Sequence, residues 1–396
     1  MRLPSDYCGR FFASASFLIL FFALFAGVPV SAQTYTVLHS FGSGTDGANP
    51  SGGISALKVG TVTTGFSGAT VNGGASGDGT VFRLYQISGV WNYSILANFD
   101  GANGLLPYGA DGSGNWGTTA AGGAHGEGTI YQISGTTFKQ VFNFCDLESC
   151  EDGAAPYGGL VGGYGTTSGG GEYGAGTIYS WDGLTSTHTV VHSFAGTSGA
   201  DGAVPLGRLV TGVSSETLYG TTSAGGTSNL GTVFEFNTST GVETYLHNFG
   251  ARPDGTAPRG DLCRAPGAIS TLYGATPNGG AYGYGTVYQV TSAGVYSVLY
   301  SFTGGADGAN PGPIVIEPTG NIIGVALAGG LGQGTVFELT PTGTLGVLHT
   351  FCETTGCPDG SAPNGLFGIG GNPYEVIGTT ANGGTYNKGT AFLLTE

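Results

Sequence analysis

The sequence predicts an all-β fold: a seven-bladed β-propeller of four-stranded blades, closed by pairing the N-terminal strand with the last blade. Two tandem markers carry this prediction. A Gly-Thr pair, followed by an apolar and then an aromatic residue, begins at Gly79, Gly128, Gly176, Gly231, Gly285, Gly334 and Gly389. A strand-like marker typified by Val37–Phe41 ends at Phe41, Phe99, Phe144, Phe194, Phe249, Phe302 and Phe351.

The spacing and phase of the markers favour a ring. The copies between Gly79 and Gly389 recur about every 52 residues, a period typical of propeller blades rather than of helical solenoids. The chain opens on the second marker and closes on the first, so neither end holds a whole repeat. A ring whose seam runs through one unit explains this phase, and it predicts that Tyr35–Phe41 pairs with Gly389–Thr395.

Each repeat contains four strand-like segments. In one repeat they are Thr244–Phe249, Arg259–Leu262, Thr271–Thr276 and Gly285–Val290. They are short, rich in aromatic and β-branched residues, and separated by Gly, Pro, Asn and Asp. No window shows an apolar stripe at helical spacing, and 80 glycines among 396 residues make helices costly.

Paired glycines precede every Gly-Thr marker, in the connection between the last two strands of the unit. We expect positive φ there, in a tight turn. The pairs are Gly73-Gly74, Gly122-Gly123, Gly170-Gly171, Gly225-Gly226, Gly279-Gly280, Gly329-Gly330 and Gly383-Gly384.

Composition excludes several other classes of protein. The chain has 22 Phe and 20 Tyr with only 9% charged residues, which is unlike a disordered chain, and its glycines do not follow the Gly-X-Y register of collagen. The net charge is −15 and there is no basic stripe. We therefore expect neither nucleic acid nor anionic lipid as a partner.

The N-terminus predicts export. Two arginines flank the start of an apolar run over Phe11–Val30, and small residues follow it. We interpret 1–32 as a secretory signal peptide and 33–396 as a single seven-repeat propeller domain. A retained membrane anchor is the alternative, because the run approaches the length of a membrane span.

The cysteines agree with export. Cys145 and Cys150 occupy the same place in the third repeat as Cys352 and Cys357 in the seventh. Matched pairs across short loops indicate two local disulfides formed in an oxidising compartment. A metal site would need four ligands close together, and no histidine accompanies either pair. Cys263 is left over, and we expect a buried thiol.

The units resemble a known tandem repeat. Leu218–Gly226, Gly231–Phe236 and Leu299–Pro311 are similar to the GloVer (Gloeo_Verruco) repeat of bacterial exported proteins. The resemblance covers Tyr35–Glu396 and implies a secreted, propeller-like repeat protein with no established activity. Repeat six departs from the pattern at Gly324–Ala326, where the other repeats have threonine at the third position.

Two sets of polar residues recur in register. An Asp-Gly pair occurs in every repeat, and we interpret it as a turn in which the carboxylate bonds the backbone; a rim of cation-binding carboxylates is the alternative. These aspartates are Asp46, Asp100, Asp152, Asp201, Asp254, Asp307 and Asp359. A second position holds histidine in four repeats and Ala97, Phe142 or Tyr300 in the others, which favours packing over metal binding or acid–base chemistry. The histidines are His39, His192, His247 and His349.

Residues that break the repetition are the candidates for ligand binding. Trp116 replaces the usual tyrosine, and its ring could stack on a sugar, although a buried core position is the alternative. Arg252, Arg259, Arg264 and Asp261 fall within one repeat and could capture a carboxylate or phosphate, or form a surface salt-bridge patch. The sequence predicts no catalytic residue, no metal and no cofactor.

The function predicted from these features is binding. We expect an exported, non-enzymatic propeller, monomeric, that serves as an interaction scaffold in the periplasm, at the cell surface or outside the cell. Its ligand would be an extracellular glycan or protein, with no membrane contact once the signal is removed. The alternatives are a propeller enzyme acting on extracellular polysaccharide, of glycoside hydrolase or lyase type, and a structural component of the cell surface.

Overall fold

Seven antiparallel β-sheets form the blades of a propeller, as the sequence predicts. The computed structural model describes residues 33–42, 44–59, 62–110, 116–134, 137–196, 201–264 and 270–396. The described residues contain little helix: one 3₁₀ turn is Glu148–Cys150, and Gly196 also has 3₁₀ geometry. The predicted signal peptide lies outside the described residues and stays a prediction. Within the described residues, no helix is long and apolar enough to span a membrane.

Each blade has an inner, a second, a third and an outer strand, counted from the centre of the ring. The strands are, for blade 1, Gly47–Pro50 with Ser55–Val59, Val62–Gly73, Thr80–Ile87 and Val90–Asn98; for blade 2, Leu105–Ala110, Trp116–Ala121, Thr129–Ser134 and Thr137–Asn143; for blade 3, Tyr164–Thr167, Thr177–Asp182 and Thr187–Ser193. In blade 3 the inner strand is reduced to two bridges, at Ala154 and Val161.

Blades 4 and 5 have interrupted inner strands. The strands are, for blade 4, Gly202–Ala203 with Val210–Thr211, Thr217–Thr222 with Ala224–Gly225, Thr232–Asn237 and Val242–Asn248; for blade 5, Gly255–Thr256 with Cys263–Arg264, Thr271–Thr276 with Asn278–Gly279, Thr286–Thr291 and Tyr296–Ser301; for blade 6, Ala309–Ile316, Ile322–Ala328, Thr335–Leu339 and Leu345–Thr350; for blade 7, Ser361–Gly370, Glu375–Asn382, Thr390–Thr395 and Thr34–Ser40.

The two sequence markers are hydrogen-bonded to each other in every blade. The backbone N–H of each marker phenylalanine donates to the carbonyl of the marker glycine at 3.0 Å, for example Phe194 to Gly176. All seven phenylalanines are fully buried. The bond joins the end of the outer strand to the start of the third, so one marker anchors the other at the edge of the core.

Backbone conformation and close packing both require glycine at the marker position. At Gly176, φ is +105°, and a Cβ would lie 2.7 Å from the Cδ of Pro205 in the next blade. The same glycine–proline contact recurs at all seven boundaries between blades. A side chain would strain the backbone and push neighbouring blades apart. The paired glycines that precede each marker also have positive φ, as predicted.

The N-terminal strand closes the ring. Thr34–Ser40 pairs antiparallel with Thr390–Thr395, so the outer strand of blade 7 comes from the opposite end of the chain. The N–H of Phe41 donates to the carbonyl of Gly389, which is the marker bond of the other blades made across the seam. The predicted ring closure is confirmed.

The inner strands meet around the centre of the ring at a second glycine position. A Cβ on Gly207 would lie 2.7 Å from the carbonyl oxygen of Gly260, and one on Gly158 would lie 2.9 Å from that of Gly207. Thr118 Oγ1 also donates to the carbonyl of Gly158 in the next blade, at 3.1 Å. Neighbouring inner strands therefore touch backbone to backbone.

Candidate functional site

Each blade meets the next at a joint built from three repeat positions. The first lies on the outer strand of one blade, two residues before its marker phenylalanine. The second is the aspartate in the connection that follows this strand. The third lies on the outer strand of the next blade, six residues before the marker phenylalanine of that strand. The seven joints, from blades 7 and 1 round the ring, are His39, Asp46, Tyr93; Ala97, Asp100, Phe138; Phe142, Asp152, His188; His192, Asp201, Glu243; His247, Asp254, Tyr296; Tyr300, Asp307, Leu345; and His349, Asp359, Tyr35.

The joint between blades 4 and 5 shows the common arrangement. His247 Nε2 lies 2.9 Å from Asp254 Oδ2, and the Tyr296 hydroxyl donates to Asp254 Oδ1 at 2.6 Å. The Tyr296 ring stacks on the imidazole, with centroids 3.6 Å apart and planes 3° apart. Burial opposes ionisation of Asp254, but the hydrogen bonds from His247 and Tyr296 outweigh it and lower its pKa. The buried carboxylate therefore stays ionised.

The histidine–aspartate contact and the stacked tyrosine ring recur at two other joints. His39 bonds Asp46 at 2.8 Å and stacks with Tyr93, and His349 bonds Asp359 at 3.0 Å and stacks with Tyr35. Each aspartate also accepts a hydrogen bond from the residue after the marker phenylalanine, for example from the Gly250 N–H to Asp254 at 2.9 Å. The two repeat-locked sets singled out in the sequence are thus partners, which sequence analysis missed.

The joint between blades 3 and 4 differs from all the others. Glu243 stands where the three histidine joints above have tyrosine, and its carboxylate Oε2 lies 3.0 Å from His192 Nε2. Asp201 Oδ2 lies 3.9 Å from the same nitrogen. The Tyr245 hydroxyl donates to both carboxylates, at 2.7 Å to Glu243. His192, Asp201 and Glu243 could hold a metal ion, because one ligand atom from each lies within 4.8 Å of the others.

At this joint one imidazole faces two carboxylates, and the pKa values of both Glu243 and His192 are shifted. Burial raises the pKa of Glu243, although His192 and Tyr245 oppose the shift. Burial lowers the pKa of His192, but the two nearby carboxylates outweigh it and raise that pKa. The imidazole is therefore favoured in its charged form in the absence of another cation.

A second triad of acidic residues could also be a cation site. Glu317, Glu338 and Glu396 bring their carboxylates within 4.8 Å of one another. Burial, followed by the nearby Glu317 and Glu338, raises the pKa of Glu396 to about 8. A proton on Glu396 relieves the repulsion at neutral pH, so this cluster needs no metal.

A concave feature lies on the opposite face of the ring. Because strands alternate in direction, the aspartate connections share one face, and the turns from inner to second strand and from third to outer strand share the other. On this second face, a cavity of about 810 Å³ opens between blades 2, 3 and 4. Trp116, Trp181, Leu160 and Leu209 line it. We call it the tryptophan cavity.

Both tryptophans in the cavity break the repeat. Trp116 takes a position that is tyrosine in blades 3, 4 and 5, and Trp181 takes a third-strand position that other blades fill with aliphatic residues or phenylalanine. Their rings meet edge-on, with centroids 6.0 Å apart. Trp181 is 5% exposed, and its Nε1 has no hydrogen-bond partner among the described residues. The cavity therefore has an aromatic wall made by two tryptophans that interrupt the repeat.

Comparison with known sequences identifies the repeat. A family model described as the Gloeobacter/Verrucomicrobia repeat matches residues 163–330 and 267–396. The chain belongs to this repeat family. No curated protein matches it.

Several solved structures are similar to this repeat protein. The extracellular domain of a one-component system from B. thetaiotaomicron superposes with a TM-score of 0.55 and 8% identity, covering 91% of this chain and 40% of that one. A gluconolactonase from Xanthomonas campestris gives 0.45 and 11%, covering 92% and 89%. TolB from Acinetobacter baumannii gives 0.36 and 14%, covering 80% of this chain and 60% of that one. At 8% identity, the likeness to the B. thetaiotaomicron domain shows the fold alone.

The predicted arginine cluster is not one site. Arg252 lies in an aspartate connection, on one face, whereas Arg264 lies near the other face, at the end of the inner strand of blade 5. Asp261 instead binds Arg208 of blade 4, accepting from its backbone N–H at 2.7 Å and lying 3.4 Å from its Nε. Arg208 lines the tryptophan cavity, so Asp261 and Trp116 are the two sequence candidates that this site involves. Arg259 is an exposed residue between the two segments of the inner strand of blade 5.

The cysteine predictions are confirmed where the structure tests them. Disulfides join Cys145 to Cys150 and Cys352 to Cys357. They are consistent with an extracellular or periplasmic location. The Cys263 thiol is partly buried and donates to the carbonyl of Ile314 at 2.8 Å, and burial raises its pKa to about 12, which disfavours the reactive thiolate.

Proposed function

We propose that this repeat protein is an exported, non-enzymatic propeller that binds carbohydrate in the tryptophan cavity. The observation that carries the proposal is the coincidence of two singular tryptophans with the cavity. A volume of about 810 Å³ lies within the roughly 300–1,000 Å³ range of small-molecule sites, which are mostly apolar with a few convergent polar groups.

The chemistry of the lining suits a sugar ring. A pyranose has apolar faces and a rim of hydroxyls, so it needs an aromatic wall and nearby hydrogen-bonding groups. Trp116 and Trp181 offer the wall, and Gln132, Arg208 and Thr211 offer polar atoms.

Two positions allow the site to be changed without disturbing the fold. Trp116→Tyr restores the residue that blades 3, 4 and 5 carry, and should weaken binding by reducing the stacking area. Gly183 lies under the other side of the same ring, where a Cβ would sit 2.5 Å from Trp116 Cζ2. Gly183→Ala should therefore displace the indole while leaving it present. Tyr173→Ala is the matched control, because this exposed aromatic lies on the opposite face of blade 3.

Glycan-array screening followed by calorimetry on residues 33–396 tests the proposal. We expect an oligosaccharide ligand whose dissociation constant rises at least about tenfold in Trp116→Ala, a loss of roughly 1.4 kcal/mol, and is unchanged in Tyr173→Ala. Binding that survives both Trp116→Ala and Gly183→Ala would place the ligand elsewhere. Turnover of the bound polysaccharide would favour the enzymatic alternative.

A further inference from the structure

The joint between blades 3 and 4 concentrates acidic groups where the other joints are balanced. At His39 and Asp46, one imidazole faces one carboxylate, and the tyrosine from the next blade is neutral. At His192, the same imidazole position faces two carboxylates. The side chain of Glu243 is 4% exposed, and its Oε1 has no hydrogen-bond partner among the described residues. A buried carboxylate oxygen without a partner is costly.

The spacing of the three ligand atoms suits a small metal ion. Metal–ligand distances of 2.0–2.2 Å in a tetrahedral site put ligand atoms about 3.3 Å apart. The separations of 3.0 Å from His192 Nε2 to Glu243 Oε2 and 3.9 Å to Asp201 Oδ2 bracket that value. Small side-chain adjustments would equalise them.

The surroundings hold the carboxylates in place. The Tyr245 hydroxyl donates to both, and the N–H groups of Ala195 and Gly202 each donate to Asp201 at 2.6 Å. Such outer hydrogen bonds orient metal ligands and add to metal affinity. Neutral imidazole with two carboxylates also cancels the charge of a divalent ion.

We propose that His192, Asp201 and Glu243 form a binding site for a divalent transition-metal ion, for which Zn²⁺ is the probe. One nitrogen and two carboxylate oxygens favour Zn²⁺ over Mg²⁺ and Ca²⁺, which prefer oxygen ligands alone. The ion would link the outer strands of blades 3 and 4, as the stacked histidine and tyrosine do at three other joints.

Equilibrium dialysis of metal-stripped protein against Zn²⁺ tests the site. We expect one tightly bound ion per chain and a higher melting temperature with Zn²⁺. Glu243→Tyr recreates the residue set of the other histidine joints and should weaken binding at least about tenfold, since even residues beyond the ligands contribute that much. His247→Ala is the control, because it removes the equivalent histidine from an intact joint.

The outcomes separate metal binding from a proton-based alternative. If Zn²⁺ does not bind stoichiometrically, or if His247→Ala weakens binding as much as Glu243→Tyr, the site is refuted, and a proton on Glu243 or His192 neutralises the joint instead. Circular dichroism without metal checks the fold of each variant. If Glu243→Tyr does not fold, Glu243→Gln decides, because it keeps the shape and removes the charge.

Discussion

A pair of threonine hydroxyls joins the second and third strands in six blades. In blade 4, Thr222 Oγ1 and Thr232 Oγ1 lie 2.8 Å apart, and the Thr222 hydroxyl also accepts from the Thr232 N–H at 3.2 Å. Both residues are fully buried. In blade 6 the first threonine is replaced by Ala326, which is the departure visible in the sequence. Thr335 Oγ1 still donates to the carbonyl of Asp307 at 3.3 Å, the bond that Thr390 makes to the carbonyl of Asp359 in blade 7.

Ala326→Thr should stabilise the protein. Gly308, which faces Ala326, has no Cβ, just as Gly202 leaves room beside Thr222 in blade 4. The added hydroxyl would bond Thr335, and we expect a gain of about 1 kcal/mol in the free energy of unfolding. Denaturant titration measures it. Thr222→Val, which leaves Thr232 without its partner, should cost about 1–2 kcal/mol. A loss of stability in Ala326→Thr would mean that the space is already filled.

His188 should make the fold sensitive to acid. Its ring stacks on Phe142 at 4.4 Å, and its Nε2 is buried without a partner among the described residues. Burial lowers the pKa of His188 to about 4, although Asp152 opposes the shift. Between about pH 6.5 and 4 the unfolded chain then binds the proton that the folded chain excludes, so stability falls as the pH falls.

His188→Phe should remove this contribution. Phe138 occupies the equivalent position in blade 2, so the ring fits the repeat. We expect the variant to match the parent near pH 7.5 or exceed it slightly, and to be more stable at pH 4 by up to roughly 3 kcal/mol. Melting temperatures from pH 4 to 8 provide the measurement. Parallel curves for the two proteins would show that the pKa of His188 is the same in the folded and the unfolded chain.

At the scale of the element, two of the aspartate connections are tied by disulfides. Each bridge spans a separation of five residues, so the chain-entropy model gives about 2 kcal/mol per bridge. Replacing Cys352 and Cys357 by alanine should lower stability by that amount and keep the fold, because five blades hold the connection without a bridge. An unchanged denaturation midpoint would show that the Asp359 hydrogen bonds already fix this loop.

The elements were predictable from sequence to different degrees. Strands and turns repeat, so the seven imperfect copies of the Gly-Thr and Phe markers support the same assignment. The paired glycines indicate positive φ at the turns. The joints were not predicted, because they pair residues about 50 positions apart on neighbouring blades. A signal was present: Glu243 is the one acidic residue in a column of Tyr35, Tyr93, Phe138, His188, Tyr296 and Leu345. Aligning the seven repeats and comparing the residues at each equivalent position would have identified Glu243 as the exception.

At the scale of the whole molecule, the closure of the ring could be predicted from where the chain starts and ends within the repeat. The tryptophan cavity could not be predicted in this way. Ring closure needs only a count of markers and the cost of an unpaired strand edge. The tryptophan cavity needs three blades assembled, since Trp116, Trp181 and Arg208 come from blades 2, 3 and 4. Trp116 could be singled out as an exception to the repeat, but its neighbours in space depend on the packing of the blades.

Removing the seam strand should destabilise the entire ring. Residues 34–41 supply the outer strand of blade 7, the buried Phe41, and the Tyr35 hydroxyl that donates to the Asp359 carbonyl at 2.6 Å. Without them Thr390–Thr395 becomes an unpaired edge over an exposed core, and losing Phe41 alone should cost about 3–5 kcal/mol. We expect a deletion of 34–41 to lower the melting temperature far more than trimming an ordinary terminus, with one cooperative transition. The control restores the same strand by a different connection: residues 34–41 are attached after Glu396 through a short turn, as third and outer strands are joined in other blades. This permuted chain should recover most of the stability, and a deletion mutant that melts like the parent would show that the seam contributes nothing to the ring.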